Sequence, residues 1–378
     1  MALVRALRGS FFCPVARHSV CCFHDNATRP PGSNPLSSSP STSSKDKLTD
    51  EISRYVYHHR QSDSFFQHKY EAVMALEEVA RRYRDEYAAF ITGSSMNGVG
   101  TNTSDTDITL INRDNQAALS RSEVINFLEN LKTYYEEAGN YGEINIIHGK
   151  VPLLTVRDME RDIPFDVTLD GSSAVRNTYM LQLYSACDYR VVPLIMVVKD
   201  WAKKRGIKAA HQGLLSSYGI SLMVLHYLQV QQPWVVPSLH KTMKQHLYLD
   251  IMEMQNRREH DLPETPTSNN TTSLGELLCG FFRYYAAFQF EDYIIQVAEA
   301  RALHSQETIN PAFSSGSLKK SFVKIEEPFS KSNVSHSILK RGHFMRLRTE
   351  FVVADDALFY DSNPSLSCIG LDVPKAED

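Results

Sequence analysis

The apolar positions change period along the chain. From 70 to 83, Ala72, Val73, Leu76, Val79, Ala80 and Tyr83 recur three and four residues apart, which predicts a helix. Short β-branched and aromatic runs follow, bounded by turn residues. They predict strands over 88–92, 106–111, 144–147, 151–156 and 164–169, with a helix over 123–136 among them. From Met180 onward the pattern turns helical, over 190–204, 216–229 and 274–286, with a polar Asn/Thr/Pro loop around 263–272. No internal repeat is present. An α+β block therefore precedes a mostly helical one.

The stretch 29–45, PPGSNPLSSSPSTSSKD, has almost nothing to bury and reads as a disordered tether, so the folded body is expected from Lys47. Ahead of it, Arg5, Arg8 and Arg17 lie among apolar residues with no acid before Asp25, a loose likeness to a mitochondrial presequence. The apolar runs there are short and broken by arginines, against a secretory signal. His18, Cys21, Cys22 and His24 cluster without the spacing of a zinc finger, and chance explains them better.

The chain has 378 residues, 42% hydrophobic and 22% charged, enough for two domains, and no apolar run approaches membrane-spanning length. The 40 basic and 44 acidic residues give a net charge of -4, so attraction to a polyanion must come from a local patch or a partner. Cys13, Cys21, Cys22, Cys187, Cys279 and Cys368 fit neither a disulfide framework nor a CxxC pair, which favours a reducing compartment.

The densest chemical signal is Gly93-Ser94-Ser95-Met96-Asn97-Gly98-Val99-Gly100, directly after a strand and followed by Ser104-Asp105-Thr106-Asp107 opening the next. Glycines let backbone N–H groups approach a phosphate, and the serines add donors, although a Gly/Ser loop alone is usually only a turn. Residues i and i+2 of a strand share a face, which sets Asp105 beside Asp107. Two such carboxylates call for a hard divalent cation, Mg²⁺ or Mn²⁺, the plainer reading being an acidic loop end. Asp166 interrupts an apolar strand, and if that strand neighbours the first, three carboxylates converge.

These motifs resemble the nucleotidyltransferases built on the DNA polymerase beta palm: Gly-Ser, a gap, Asp-x-Asp, and a third Asp on a later strand. Arg176-Asn177-Thr178, the helix from Arg190 through Lys199 and Trp201 to Lys203, Leu215-Ser216-Ser217-Tyr218 and the 222–229 run extend the likeness to the cytoplasmic poly(A) polymerases and terminal uridylyltransferases. So does Ser273-Leu274-Gly275-Glu276 through Tyr285, which resembles their poly(A)-polymerase-associated segment. The resemblance spans roughly 50–340. It implies an α+β fold, a polymerase-beta-like palm of mixed sheet and helices plus a mostly helical central domain. The expected layout is a disordered or targeting segment 1–46, a helix in 47–74 packing on the central domain, a palm 75–188, a central domain 189–340 and a tail 341–378.

The resemblance also implies roles. Asp105, Asp107 and Asp166 would bind two metals, and Gly93, Ser94 and Ser95 would hold the triphosphate. Lys199 and Lys203, at i and i+4 on one helix face, suit the β and γ phosphates; without the resemblance they are a solvated face. Ser217 would bind phosphate and Tyr218 would stack on the base, where a tyrosine is otherwise core. Asn177 would contact the ribose hydroxyls, the plainer alternative being a helix cap.

Base choice in this family is read in the segment that here runs from Lys324 to Val334. Uridylyltransferases carry a histidine four residues after the Phe of Glu-Asp-Pro-Phe. This chain has Glu326-Glu327-Pro328-Phe329 and then Asn333, which resembles the poly(A) polymerases and points to ATP, although His336 lies three residues farther on. The expected reaction is untemplated addition of AMP to an RNA 3′ end, in the cleft between palm and central domain. A uridylyltransferase, a silent RNA–protein scaffold and transfer to a small molecule are the rivals. No RNA-binding module is present, so an RNA-binding adaptor protein is expected to supply the targets. Lys319, Lys320, Lys324, Lys331, Lys340, Arg341, Arg346 and Arg348 offer sequence-independent contacts to the RNA backbone, or simply a solvated surface. The family likeness implies a cytoplasmic enzyme without a membrane, the arginine-bearing N-terminus a mitochondrial one.

Overall fold

A computed structural model describes residues 44–114, 119–149, 151–256, 262–308 and 321–374. The presequence-like arginines, Cys13, Cys21, Cys22, most of the tether, Lys319 and Lys320 lie outside the described residues. The chain divides into two compact units. Of the described residues, one holds His59–Ala186 and Gln245–Glu264; the other holds the residues from Ser44 to His58, Cys187–Lys244 and those from Thr265 onward.

The first unit is built on a sheet of five strands: β1 (Tyr87–Thr92), β2 (Thr106–Asn112), β3 (Tyr141–Ile147), β4 (Leu153–Asp158) and β5 (Ile163–Leu169), in the order β1-β2-β5-β4-β3. Only β2 and β5 run parallel; the other neighbours are antiparallel. The helices Asp63–Tyr83 and Arg121–Ala138 bury their apolar stripes against this sheet, Leu76, Leu128, Leu131 and Tyr135 meeting Ile108, Leu110, Leu154 and Val167 in one core. Ser62 caps the first of these helices by accepting the Phe65 N–H, and Ser120 with Glu123 forms a capping box on the second. A helix at Ser172–Cys187 follows β5 and is buried on almost every side, which is why no one-sided stripe announced it.

The expectation of a single helix over 47–74 is corrected. Helix Ser44–His59 ends before the Ser62 cap and belongs to the helical unit, where Leu48, Ile52 and Val56 are buried and Tyr55 donates to Asp200 Oδ2 at 3.0 Å. Helix Asp63–Tyr83 belongs to the sheet unit.

The helical unit packs Val191–Lys204, Ser217–Val230 and Leu274–Ala286 around Trp201, Phe281, Phe282 and Tyr285. A small sheet, Tyr293–Gln296 with Arg301–His304 and Ile325–Glu326, carries the chain toward the 327–334 loop. The expected tail is also corrected: Arg341–Phe359 is a helix whose Phe344, Leu347, Phe351, Ala354 and Leu358 recur at helical spacing and are buried, Phe351 lying 5.1 Å from the Trp201 ring. Among the described residues no helix is long and apolar enough to cross a membrane.

Candidate active site

The parallel register of β2 and β5 sets Asp107 directly opposite Asp166. Equivalent positions on neighbouring strands project from the same face, so the two carboxylates are neighbours by backbone geometry alone. Asp105 lies exposed just before β2. Burial raises the Asp166 carboxyl above the usual range, and the charge of Asp105 raises it further, as one negative group near another must.

The turn after β1 is fitted to these carboxylates. Gly93 adopts φ +67°, and a Cβ there would lie 2.2 Å from Asp107 Oδ2, so only glycine lets the turn close over that side chain. The Gly93 N–H donates to Thr178 Oγ1 at 2.9 Å, and that hydroxyl donates to the Ala174 carbonyl at 2.7 Å. The two serines diverge. Ser94 is half-buried, whereas Ser95 is buried; its hydroxyl donates to the Asp105 carbonyl at 3.3 Å and accepts from Lys69 Nζ at 3.0 Å. Ser95 is thus engaged in holding the turn rather than turned outward. Asn177 sits within helix Ser172–Cys187, which excludes the cap reading, and its Oδ1 is a buried acceptor with no hydrogen-bond partner among the described residues.

The carboxylate set suits a hard cation held partly by substrate. Among the described residues no three His, Cys, Asp or Glu side chains are grouped so as to hold a metal ion by themselves. Mg²⁺ is typically bound by one or two carboxylates completed by water and phosphate oxygens, which an open set of Asp105, Asp107 and Asp166 fits.

In the helical unit, Lys199 and Lys203 share a helix but not an environment: Lys199 is buried and Lys203 exposed. Ser217 is exposed at the first turn of its helix, behind the cap that Ser216 forms with the Gly219 N–H. Tyr218 is half-buried rather than core, its hydroxyl donating to Glu327 Oε1 at 3.1 Å.

Asn333 is buried at 4% exposure. Its Oδ1 accepts from the Ile325 N–H at 3.1 Å, the Ser335 N–H at 3.0 Å and the Ser335 hydroxyl at 2.9 Å, and its Nδ2 donates to the Val323 carbonyl at 3.2 Å. The expected base-reading amide therefore latches the loop to its own strand. His336 is exposed, with Nδ1 3.0 Å from the Asn333 carbonyl. Several of the basic side chains are tied to protein: Lys324 to the Glu291 carbonyl, Lys331 to Glu326, and Arg346 to the Arg205 carbonyl, leaving Lys340, Arg341 and Arg348 exposed without those ties.

Sequence reasoning missed Lys69, Thr178 and Glu327. Lys69 carried a signal, a lysine inside the apolar stripe of an amphipathic helix. Thr178 and Glu327 carried none beyond their places in motifs.

A mixed sheet with facing aspartates on two parallel strands, closed by a glycine–serine turn, is the palm of a polymerase-beta-like nucleotidyltransferase. Residues 48–186 match the family described as poly(A) RNA polymerase, mitochondrial-like, central palm domain, and 273–333 match the Cid1 family poly A polymerase. Over these two stretches the chain is similar to this family of terminal nucleotidyltransferases. Poly(A) RNA polymerase GLD2-A of Xenopus laevis is 34% identical over 275 residues, 71% of this chain and 52% of that protein. A solved GLD-2/RNP-8 complex is 28% identical with a TM-score of 0.73, over 86% of this chain and 98% of that one. A Cid1 poly(U) polymerase with histidine replaced by asparagine, bound to MgATP, is 26% identical with a TM-score of 0.68, over 84% and 96%. The chain spans about half the length of the curated relatives it matches.

Proposed function

We propose that this chain is an RNA 3′-end nucleotidyltransferase that transfers AMP from ATP without a template. The observation that carries the reading is the Asp107–Asp166 pairing across parallel strands beneath the Gly93 turn. Asp105, Asp107 and Asp166 would hold two Mg²⁺ or Mn²⁺ ions, which, when bound, lower the pKa of the RNA 3′ hydroxyl and neutralise the leaving pyrophosphate. Ser94, with the backbone N–H groups of Ser94 and Ser95, would orient the triphosphate, Lys199, Lys203 and Ser217 would meet its phosphates, Asn177 Oδ1 would accept from a ribose hydroxyl, and Tyr218 would stack on the base.

Adenine is supported by the asparagine at position 333, since the Cid1 variant bound to MgATP carries asparagine in place of a histidine. Here the latch closes the loop without presenting an imidazole from that position. Uridylation is the second reading, favoured by the exposed His336 ring on the same loop.

Exposed Lys340, Arg341 and Arg348 would guide RNA by salt-sensitive contacts, while an RNA-binding adaptor protein would supply targets, as the GLD-2/RNP-8 complex shows that a relative assembles with a partner. We place the enzyme in the cytoplasm, with a mitochondrial address as the alternative.

The test is extension of a labelled oligoadenylate by purified protein with each ribonucleoside triphosphate separately. A ladder with ATP, absent in Asp107→Ala, is expected. A ladder with UTP alone overturns the base assignment, and no extension even when the protein is tethered to RNA overturns the catalytic reading.

A further inference from the structure

Lys69 stands where the apolar stripe of helix Asp63–Tyr83 demands a hydrophobe. Phe66, Ala72, Val73 and Leu76 line the same stripe, and Lys69 itself is 1% exposed. Burying an ammonium group is costly unless its surroundings replace water. Its polar contacts among the described residues are neutral: Nζ donates to the Ser104 carbonyl at 2.7 Å and to Ser95 Oγ at 3.0 Å, with the Phe65 ring centred 5.3 Å away.

Those contacts join the two segments that frame the carboxylates. Ser95 belongs to the turn after β1, and Ser104 immediately precedes Asp105. The Ser95 hydroxyl passes the link on to the Asp105 carbonyl, and Gln61 Nε2 holds the Ser95 carbonyl at 3.1 Å. A single ammonium thus ties the phosphate turn to the backbone that carries Asp105. Burial pushes Lys69 down to about 8, and the fields of Asp105 and Asp107 oppose that fall. The lysine and the two carboxylates therefore stabilise one another's charges across the turn.

We infer that Lys69 is a positioning residue of the carboxylate cluster, an internal counter-charge that holds Asp105 and Asp107 in place before a divalent cation arrives. The inference deepens the nucleotidyl-transfer reading and rests on it for its kinetic arm. Without Lys69 the carboxylates lose that counter-charge and the turn loses its brace. An added cation then recovers the electrostatic part of the loss, which it cannot do for a simple packing defect.

The experiment compares thermal unfolding of the full chain and of Lys69→Met in EDTA and in saturating MgCl₂ or MnCl₂, with Ser95→Ala as reference. Lys69→Met is expected to unfold at lower temperature in EDTA and to be raised by the metal more than the unmodified chain. Ser95→Ala, which keeps the charge, is expected to lose the same increment with and without metal. Where Lys69→Met yields no folded protein, Lys69→Gln, which keeps a neutral donor, takes its place in the comparison. A loss of the same size in EDTA and metal overturns the inference. In the kinetic arm, KM for ATP is expected to rise about tenfold, consistent with losing hydrogen bonds from a charged donor, with Lys69→Arg restoring part of it. An unchanged KM overturns the positioning role. The unfolding arm requires no activity, so failure of the nucleotidyl-transfer reading leaves it decisive.

Discussion

The Tyr218 hydroxyl donates to Glu327 Oε1 at 3.1 Å, while the other oxygen of Glu327 receives the backbone N–H groups of Phe329 and Ser330. One buried carboxylate thus sets both the pose of the tyrosine ring and the turn of the loop that follows. Replacing Glu327 with Ala removes three hydrogen bonds to a charged acceptor, each ordinarily worth about 1.5–3 kcal/mol. KM for ATP is expected to rise at least about tenfold in steady-state primer extension, with kcat less affected. Tyr218→Phe, which keeps the ring and removes only its hydroxyl, is expected to show the smaller share of that increase.

Asp166→Asn separates catalysis from stability. Because the folded state raises the Asp166 carboxyl, ionising it opposes folding, so at neutral pH and without metal the amide should unfold at a temperature no lower than the acid. Turnover should fall at least about a hundredfold, given the several kcal/mol of charge stabilisation a carboxylate-held metal supplies. Calorimetry in EDTA beside primer extension checks both halves.

Gly93 and Gly139 share a left-handed backbone, φ +67° and φ +78°, but not a neighbourhood. A Cβ at Gly139 meets nothing within 4 Å, so Gly139→Ala should cost only backbone strain, about 1–2 kcal/mol, and leave turnover intact. Gly93→Ala drives a methyl into Asp107 and should abolish primer extension. Equal activities of the two variants would remove the Gly93 turn from the mechanism.

Asn333→His tests the latch. Imidazole cannot accept the Ile325 and Ser335 N–H groups while donating to Val323, so the variant should unfold at a lower temperature and, with an imidazole now at that position, raise its ratio of UTP to ATP incorporation. An undiminished melting temperature would overturn the latch.

His226 is fully buried, its Nε2 3.0 Å from the Tyr284 hydroxyl, and burial lowers it to about 4 from 6.5. Between those values the unfolded chain binds the proton and the folded chain does not, so stability falls as pH drops from 6.5 toward 4. This one group accounts for about 3 kcal/mol of the loss. Urea unfolding at pH 7.5 and pH 5 should show that slope, reduced in His226→Phe.

The amino-acid sequence by itself determined the α+β block followed by helices, the glycine–serine turn and the identity of the three aspartates. Each rests on local chemistry: alternation makes strands, three-and-four spacing makes helices, and only glycine fits the turn. Three-dimensional packing decided which of these act together. Nothing local specifies that β5 pairs parallel with β2, yet that register alone sets Asp166 beside Asp107. Nor does local spacing tell Ser94 from Ser95, or Lys199 from Lys203, since each pair differs only in which side chain its surroundings bury. Asn333 read as a candidate for the base because its motif placed it there; the strand beside it decided that its amide holds the loop. Lys69 inverted the rule, because a charge in an apolar stripe is intelligible only once the turn and the carboxylates from later in the chain fold over it.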